Sequence, residues 1–171
     1  MNFTKVRDVK SPERGTPYSA GIDFFVPKFD DKFISDFNSK NNFKIMLYKD
    51  VENDVMCIHL NPLDRVLIPS GIHINLPKGF ALMAKNKGSI ATQRGLDKLA
   101  ELVDEDYQGE LHISLVNVSG DNIRIYSDDK IVQFVLVPVD YSIPTEVDSL
   151  EKLHPVKTIR GEGAFGSPNK Q

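Results

Sequence analysis

The run Ile68-Pro69-Ser70-Gly71-Ile72-His73-Ile74-Asn75-Leu76-Pro77-Lys78-Gly79 decides the fold class. Ile72, Ile74 and Leu76 alternate with His73, Asn75 and Pro77, the period of two expected of a strand with one buried face. Breakers bound it on both sides, at Pro69-Ser70-Gly71 and at Pro77-Lys78-Gly79. The pattern recurs outward along the chain. Leu111, Ile113 and Leu115 alternate with His112 and Ser114, and Ile131 to Val139 is nearly unbroken apolar sequence, which predicts a strand buried on both faces. Turn signals at Ser119-Gly120-Asp121-Asn122 and Ser127-Asp128-Asp129 keep the spacing short, so the expected class is an all-β barrel or sandwich with little helix. Two regions depart from this. From about 29 to 61 no period is sustained apart from one strand at Val55 to Leu60, and the segment reads as a surface excursion. Residues 140 to 159 read as an extended connector with a helical turn near Ser149 to Leu153; from Arg160 the chain turns glycine-rich and polar, which predicts a mobile tail.

A chain of 171 residues with 40% hydrophobic content has the size and the apolar share of one domain spanning 1–171. The formal net charge of -3 supplies no global field toward a polyanion, so nucleic acid is not the expected partner and any phosphate binding has to be local. Cys57 is the sole cysteine, which rules out an intrachain disulfide, and no Cys/His cluster has zinc-site spacing. No apolar signal core opens the chain and no stretch approaches a membrane span, so the expected location is the cytoplasm, or the host cytoplasm for a viral protein.

Five stretches carry chemistry. Ser19-Ala20-Gly21-Ile22-Asp23 puts a carboxylate just past two small residues, and Asn86-Lys87-Gly88-Ser89-Ile90-Ala91-Thr92, at the end of an apolar strand, offers a cation, free N–H groups and two hydroxyls, a small phosphate cradle. Asp104-Glu105-Asp106-Tyr107-Gln108-Gly109-Glu110 leads into the Leu111 strand; if extended, it places Asp104 and Asp106 on one face and Glu105 and Tyr107 on the other, with a carboxylate available as general base. Lys130-Ile131-Val132-Gln133 opens the most apolar strand. Arg160-Gly161-Glu162-Gly163-Ala164-Phe165-Gly166-Ser167 combines backbone donors with an Arg, a Phe and a Ser, a set that can wrap phosphate oxygens and lay a ring on a base. Singly, each also suits a plain turn, strand start or solvated tail.

Together and in this order, the five stretches resemble the five motifs of the trimeric dUTPase family. The connecting pattern Leu60-Asn61-Pro62, Ile68-Pro69-Ser70-Gly71-Ile72 and Leu76-Pro77-Lys78-Gly79 resembles it as well, leaving about 29–61 as an inserted surface segment without a counterpart. The resemblance implies a jelly-roll β-barrel of the β-clip type, a homotrimer with shared active sites, and Mg2+-dependent hydrolysis of dUTP to dUMP and pyrophosphate by water attack at the α-phosphorus. That reaction limits uracil in DNA and supplies dUMP for thymidylate synthesis. By the same resemblance Asp104 is the catalytic base and Tyr107 excludes a 2′-hydroxyl. Lys87, Gly88, Ser89 and Gln133 lie along the phosphates, and Asp23 holds Mg2+ through water. The hairpin with Leu99 and Val103 reads uracil with main-chain groups, while Arg160, Phe165, Gly166 and Ser167 belong to a lid at 160–171. The inserted segment is the place for a protein partner.

Departures from the family pattern mark where specificity can differ. Lys87-Gly88-Ser89 stands where Arg-Ser-Gly is usual, trading a bidentate fork for a point charge. Glu101 replaces a glycine, Lys98 a small or amide residue, Lys130 an arginine and Ala164 a glycine, and Pro168 follows Ser167 where threonine is frequent. The rival readings are a dCTP deaminase-like enzyme and a nucleotide-gated regulatory protein using the inserted segment. The deaminase glutamate would fall at Ser114, which cannot shuttle a proton in that role.

Overall fold

The computed structural model describes residues 1–42 and 44–163, in two compact units, residues 1–140 and 141–171. The first unit holds β1 (Asn2–Lys5), β2 (Glu13–Arg14), β3 (Ile22–Phe25), α1 (Asp31–Lys40), β4 (Leu47–Asp50), β5 (Val55–Leu60), β6 (Arg65–Asn75), β7 (Phe80–Asn86), a π-helical turn at Ile90–Arg94, β8 (Leu96–Lys98), β9 (Leu102–Val103), β10 (Glu110–Asn117), β11 (Ile123–Tyr126) and β12 (Lys130–Pro138). The strands form three antiparallel sheets, ordered β1-β6-β10-β8, β11-β5-β4 and β2-β3-β12-β7-β9. One hydrophobic cluster draws on all three, from Ile58 and Leu60 of β5 to Ile68 and Ile72 of β6, Leu111 and Ile113 of β10 and Phe134 of β12. The alternating runs behave as their period requires: Ile72, Ile74 and Leu76 are buried, and so are Leu111, Ile113 and Leu115. The second unit contains α2 (Leu150–Leu153), whose first turn is capped by the Ser149 side chain, in the place where the helical turn was expected.

Three expectations change in detail. Pro69-Ser70-Gly71 does not end a strand. β6 runs through it as a bulge, opposite a register shift between Glu110 and His112 of β10. Gly71 takes φ +74°, and a Cβ there would meet Val9 at 2.9 Å, so only glycine fits; its N–H, turned out of the ladder, reaches the Glu110 carboxylate at 2.7 Å. In β12 only Ile131 and Val132 are buried in succession, at a second register shift, and beyond Phe134 the strand is half-exposed rather than buried on both faces. The segment at about 29–61 holds the expected strand at Val55–Leu60, yet it also holds β4 and the helix α1. Asp30 caps α1 by accepting from the Phe33 N–H at 2.7 Å, and Phe33 and Phe37, one turn apart, are both 0% exposed, stacked at 5.7 Å. Asn41 at the helix end exchanges two hydrogen bonds with the Leu67 backbone, 2.9 and 2.8 Å, and locks α1 to β6.

Replacing Phe37 by alanine empties a fully buried site and is expected to destabilise the fold by about 3–5 kcal/mol, measured by urea unfolding. A second expectation concerns Asp50, buried in the β4–β5 hairpin. The Tyr126 hydroxyl, at 2.5 Å, and then Asn53, at 2.8 Å, hold its carboxyl down to about 2. A depressed folded value stabilises above the unfolded value of 3.8, and that contribution is lost as pH falls toward about 2. Tyr126→Phe should therefore lower the melting temperature above pH 4, with the difference from wild type closing by about pH 2; a difference that persists in acid would assign the effect to packing.

Candidate active site

Most of the residues singled out by sequence that the structure describes fall into two clusters in the first unit. The first lies at one end of the five-stranded sheet. β3 and β12 pair Asp23 with Gln133, and β12 and β7 pair Gln133 with Lys85, which brings the start of the 86–89 loop alongside. Lys87 Nζ donates to Asp23 Oδ1 at 2.5 Å, and Lys130 Nζ stands 3.7 Å from Asp23 Oδ2. Glu13 accepts from Lys130 at 2.7 Å and holds it more firmly protonated than an ordinary lysine. Gln133 donates to the Asn86 carbonyl at 2.8 Å and lies directly against Gly21, where a Cβ would be 2.0 Å from its amide oxygen; this is why a glycine precedes Ile22-Asp23. Gly88 and Ser89 are exposed at the mouth of this cluster, Ser89 opening the π-helical turn without a capping bond from its side chain.

This cluster presents a cation, a buried carboxylate and a second cation within reach of one another. Among the described residues no group of three His, Cys, Asp or Glu side chains could hold a metal. Asp23 is already engaged by Lys87 and Lys130, and such a carboxylate suits Mg2+, which keeps several waters and takes further ligands from phosphate oxygens, through a water rather than directly. Asp23 is therefore the residue that would hold the ion, through its water shell.

The second cluster is built on the turn after β9. Leu102 and Val103 pair with Met83 and Leu82 of β7, and the chain then folds back instead of staying extended: the Tyr107 N–H donates to the Asp104 carbonyl at 3.2 Å. The alternation expected for Asp104 to Tyr107 thus gives way to a turn, because Glu105 is drawn aside to accept from the Gly79 N–H at 2.6 Å. The Tyr107 ring folds over Gly109, where a Cβ would be 2.3 Å from its hydroxyl oxygen, and that hydroxyl donates to the Glu110 carbonyl at 2.9 Å. The same carbonyl is 2.8 Å from His112 Nδ1. Asp104, Tyr107, Val103, Leu102, Leu111 and His112 surround a shallow cavity of about 180 Å³. Burial pushes the His112 imidazole below its ordinary value, favouring a neutral ring there. Asp104 is exposed at this cavity, where its carboxylate can take a proton from water, and the Tyr107 ring supplies an apolar wall. Larger hollows, of about 460 Å³ under the β4–β5 hairpin and about 370 Å³ beside the π-helical turn, contain none of the predicted site residues.

The hairpin between the clusters explains two departures from the family pattern. Lys98 and Glu101 form an ion pair across its tip, and Lys85 Nζ adds a contact to Glu101 at 3.6 Å. Lys98 holds the Glu101 carboxyl below its ordinary value. The Leu99 N–H is bound to the Ser114 carbonyl at 3.0 Å, so Leu99 can offer a base its carbonyl or side chain rather than its N–H. Sequence reasoning named Lys130 and Asn86 only as members of their stretches, and it missed Lys130's place beside Asp23, His112 at the cavity, and the Asn86 side chain's bonds to Asp97 at 2.6 Å and to the Lys98 N–H at 3.1 Å. An Asn at a strand end followed by a hairpin was the available signal for the last. Arg160 belongs to the second unit, where its Nε donates to the Gly163 carbonyl at 2.8 Å; Phe165, Gly166 and Ser167 lie outside the described residues.

The dUTPase family model matches residues 51–168, which takes in four of the five motif-like stretches. A deoxyuridine 5'-triphosphate nucleotidohydrolase of Wolbachia pipientis from Culex pipiens is 34% identical over 126 residues, covering 72% of this chain and 78% of the relative. Among solved structures, the dUTPase of Staphylococcus bacteriophage 80alpha with dUpNHpp aligns at TM-score 0.74 and 18% identity, over 99% of this chain and 98% of that one. The dUTPase of phage phi11 of S. aureus, described with a structural Mg(II) ion, aligns at 0.66 and 16% identity over 88% and 97%. At these identities the structural matches establish a shared all-β fold.

Gly109→Ala is expected to push the Tyr107 ring off Gly109 and break its bond to the Glu110 carbonyl while costing the fold little, since the displaced group is a side-chain tip. The check is a crystal structure of the variant together with its melting curve. An unmoved Tyr107 would refute the packing argument.

Proposed function

The chain belongs to the dUTPase family, and from that premise we propose which of its residues carry the Mg2+-dependent hydrolysis of dUTP to dUMP and pyrophosphate. The observation that carries the assignment is the exposed Asp104 carboxylate beside the folded-back Tyr107 at one cavity. Asp104 accepts the proton of the water that attacks the α-phosphorus, a task for a carboxylate within hydrogen-bond reach of that water. The Tyr107 ring packs against the deoxyribose and leaves no room for a 2′-hydroxyl, which would be both crowded and unpaired there. Val103 and Leu99 flank the uracil. At the other cluster Lys87, released from its bond to Asp23, binds phosphate oxygens with Gly88, Ser89 and Gln133, and Asp23 would hold Mg2+ through that ion's waters. Bound Mg2+ neutralises phosphate charge and polarises the phosphoryl group.

The two clusters belong to one reaction only if they meet. Asp23 and Val103 stand on strands three spacings apart and about three residues out of register, which separates them by on the order of 15 Å within one chain. One α-phosphate cannot be served across that gap. The separation supports a homotrimer in which the Asp104 turn of one subunit faces the Asp23–Lys87 cluster of another. Residues 160–171, with Arg160, Phe165, Gly166 and Ser167, are assigned as the lid, the segment at about 29–61 as a surface for a protein partner, and the cytoplasm as the location. Ser114 lacks the carboxyl a deaminase would need there, so hydrolysis is the reading retained.

With dUTP, UTP, dCTP and dTTP offered separately and pyrophosphate release measured, the wild-type protein should hydrolyse dUTP selectively. Asp104→Asn should lower kcat by roughly a hundredfold to ten-thousandfold while nucleotide still binds in a titration. A variant turning over at the wild-type rate would remove Asp104 as the base.

A further inference from the structure

Arg7, just past β1, is the most enclosed ion-pair partner in the first unit, its side chain 5% exposed. Its Nε donates to Glu110 Oε1 at 2.7 Å and its Nη2 to Glu110 Oε2 at 2.9 Å, a bidentate clasp; Nη2 also reaches Asp36 Oδ2 of α1 at 2.5 Å. Glu110 in turn accepts from the Gly71 N–H through Oε1, and its carbonyl receives the Tyr107 hydroxyl. Burial alone would raise the Glu110 carboxyl, but the bonds from Arg7 and Gly71 outweigh it and keep it ionised. Arg7 Nη1 is buried with no hydrogen-bond partner among the described residues. A chain of contacts therefore runs from Asp36 of α1 through Arg7 to the Glu110 carboxylate and, through that residue's own covalent frame, to the carbonyl that holds the Tyr107 ring.

We infer that α1 is a positioning element of the catalytic turn, acting through Asp36 and Arg7 on Glu110 and so on Tyr107. Two features distinguish this from general support. The helix is fastened to β6 separately, by Asn41 on the Leu67 backbone and by the buried rings of Phe33 and Phe37, so the Asp36 contact is not what keeps it docked. And Asp36 is 43% exposed, so the contact lies at the rim, where a molecule binding the outer face of α1 could compete for it. Arg7 and Asp36 are positioning residues, since neither lines the cavity at Asp104. The functional half of this inference rests on Tyr107 being the sugar gate; the mechanical half does not.

The test uses the full chain carrying Asp36→Ala, with amide hydrogen exchange as the first readout and the ratio of kcat/KM for dUTP over UTP as the second. Exchange across 105–110 should quicken and the ratio should fall, each by roughly threefold or more, while exchange within 33–41 stays at the wild-type level. Asp36→Glu, which keeps the carboxylate, should restore both. In a Tyr107→Phe background, where the hydroxyl bond to Glu110 is already gone, Asp36→Ala should no longer change the ratio. Exchange at 105–110 within about twofold of wild type, or an undiminished effect in the Tyr107→Phe background, would overturn the inference. If wild-type protein failed to hydrolyse dUTP, the assignment of the site would fall, and the exchange readout would still decide the linkage.

Discussion

The placing of both candidate site clusters depends on the register of β7. It pairs with β12 along most of its length and with β9 near its middle, so the loop it feeds, carrying Lys87, is held at one end of the sheet while the Asp104 turn leaves from the opposite edge. Antiparallel pairing is rigid in this respect, because slipping one residue would turn Leu82 and Ala84 out of the core. The same hydrogen bonds that stabilise the sheet thus keep the Asp23–Lys87 cluster and the Asp104 turn apart in a single chain. On the proposed trimeric reading, the two clusters would meet across a seam between subunits rather than in a pocket inside one.

Glu110 shows how one residue can serve fold and site together. Its carboxylate satisfies the Gly71 N–H that the β6 bulge turns out of the ladder, and pairs with Arg7; its carbonyl fixes Tyr107 and meets His112. An unsatisfied buried amide at the bulge would cost about 1–3 kcal/mol. The bulge and the ion pair are thus joined at the Glu110 carboxylate, and the Tyr107 ring hangs from the same residue's carbonyl. The hairpin tip makes a smaller version of the point, since Lys98 and Glu101, each unusual for the family, neutralise one another.

Much of the sheet architecture could be read from residue order because a period of two is a local signal, as at Ile72–Leu76 and Leu111–Leu115. What escaped was set at a distance. Pro69-Ser70-Gly71 has the chemistry of a turn, and only a carboxylate 39 residues on makes it a bulge. In α1 the signals were present, with Asp30 as cap and Phe29, Phe33 and Phe37 at helical spacing, but the Asp, Lys and Asn around them hid the stripe. The candidate site residues were picked out by resemblance, and of these Lys87 meets Asp23. Lys130 beside Asp23, and Arg7 against Glu110 across 103 residues, had no local trace. The extended reading of Asp104 to Tyr107 failed for the same reason: Gly79 pulls Glu105 out of line.

The outer strand β4 bears on how the protein avoids unwanted company. It ends the three-stranded sheet with its ladder groups open on one side, near the exposed side chains of Met46, Tyr48 and Val51. Such an edge invites another strand to join it. Here the strand is only four residues long and carries Lys49, whose ammonium pairs with Asp54 at 2.5 Å across the hairpin. Docking a further strand would have to strip water from that charged pair, which acts as a gatekeeper against runaway sheet growth.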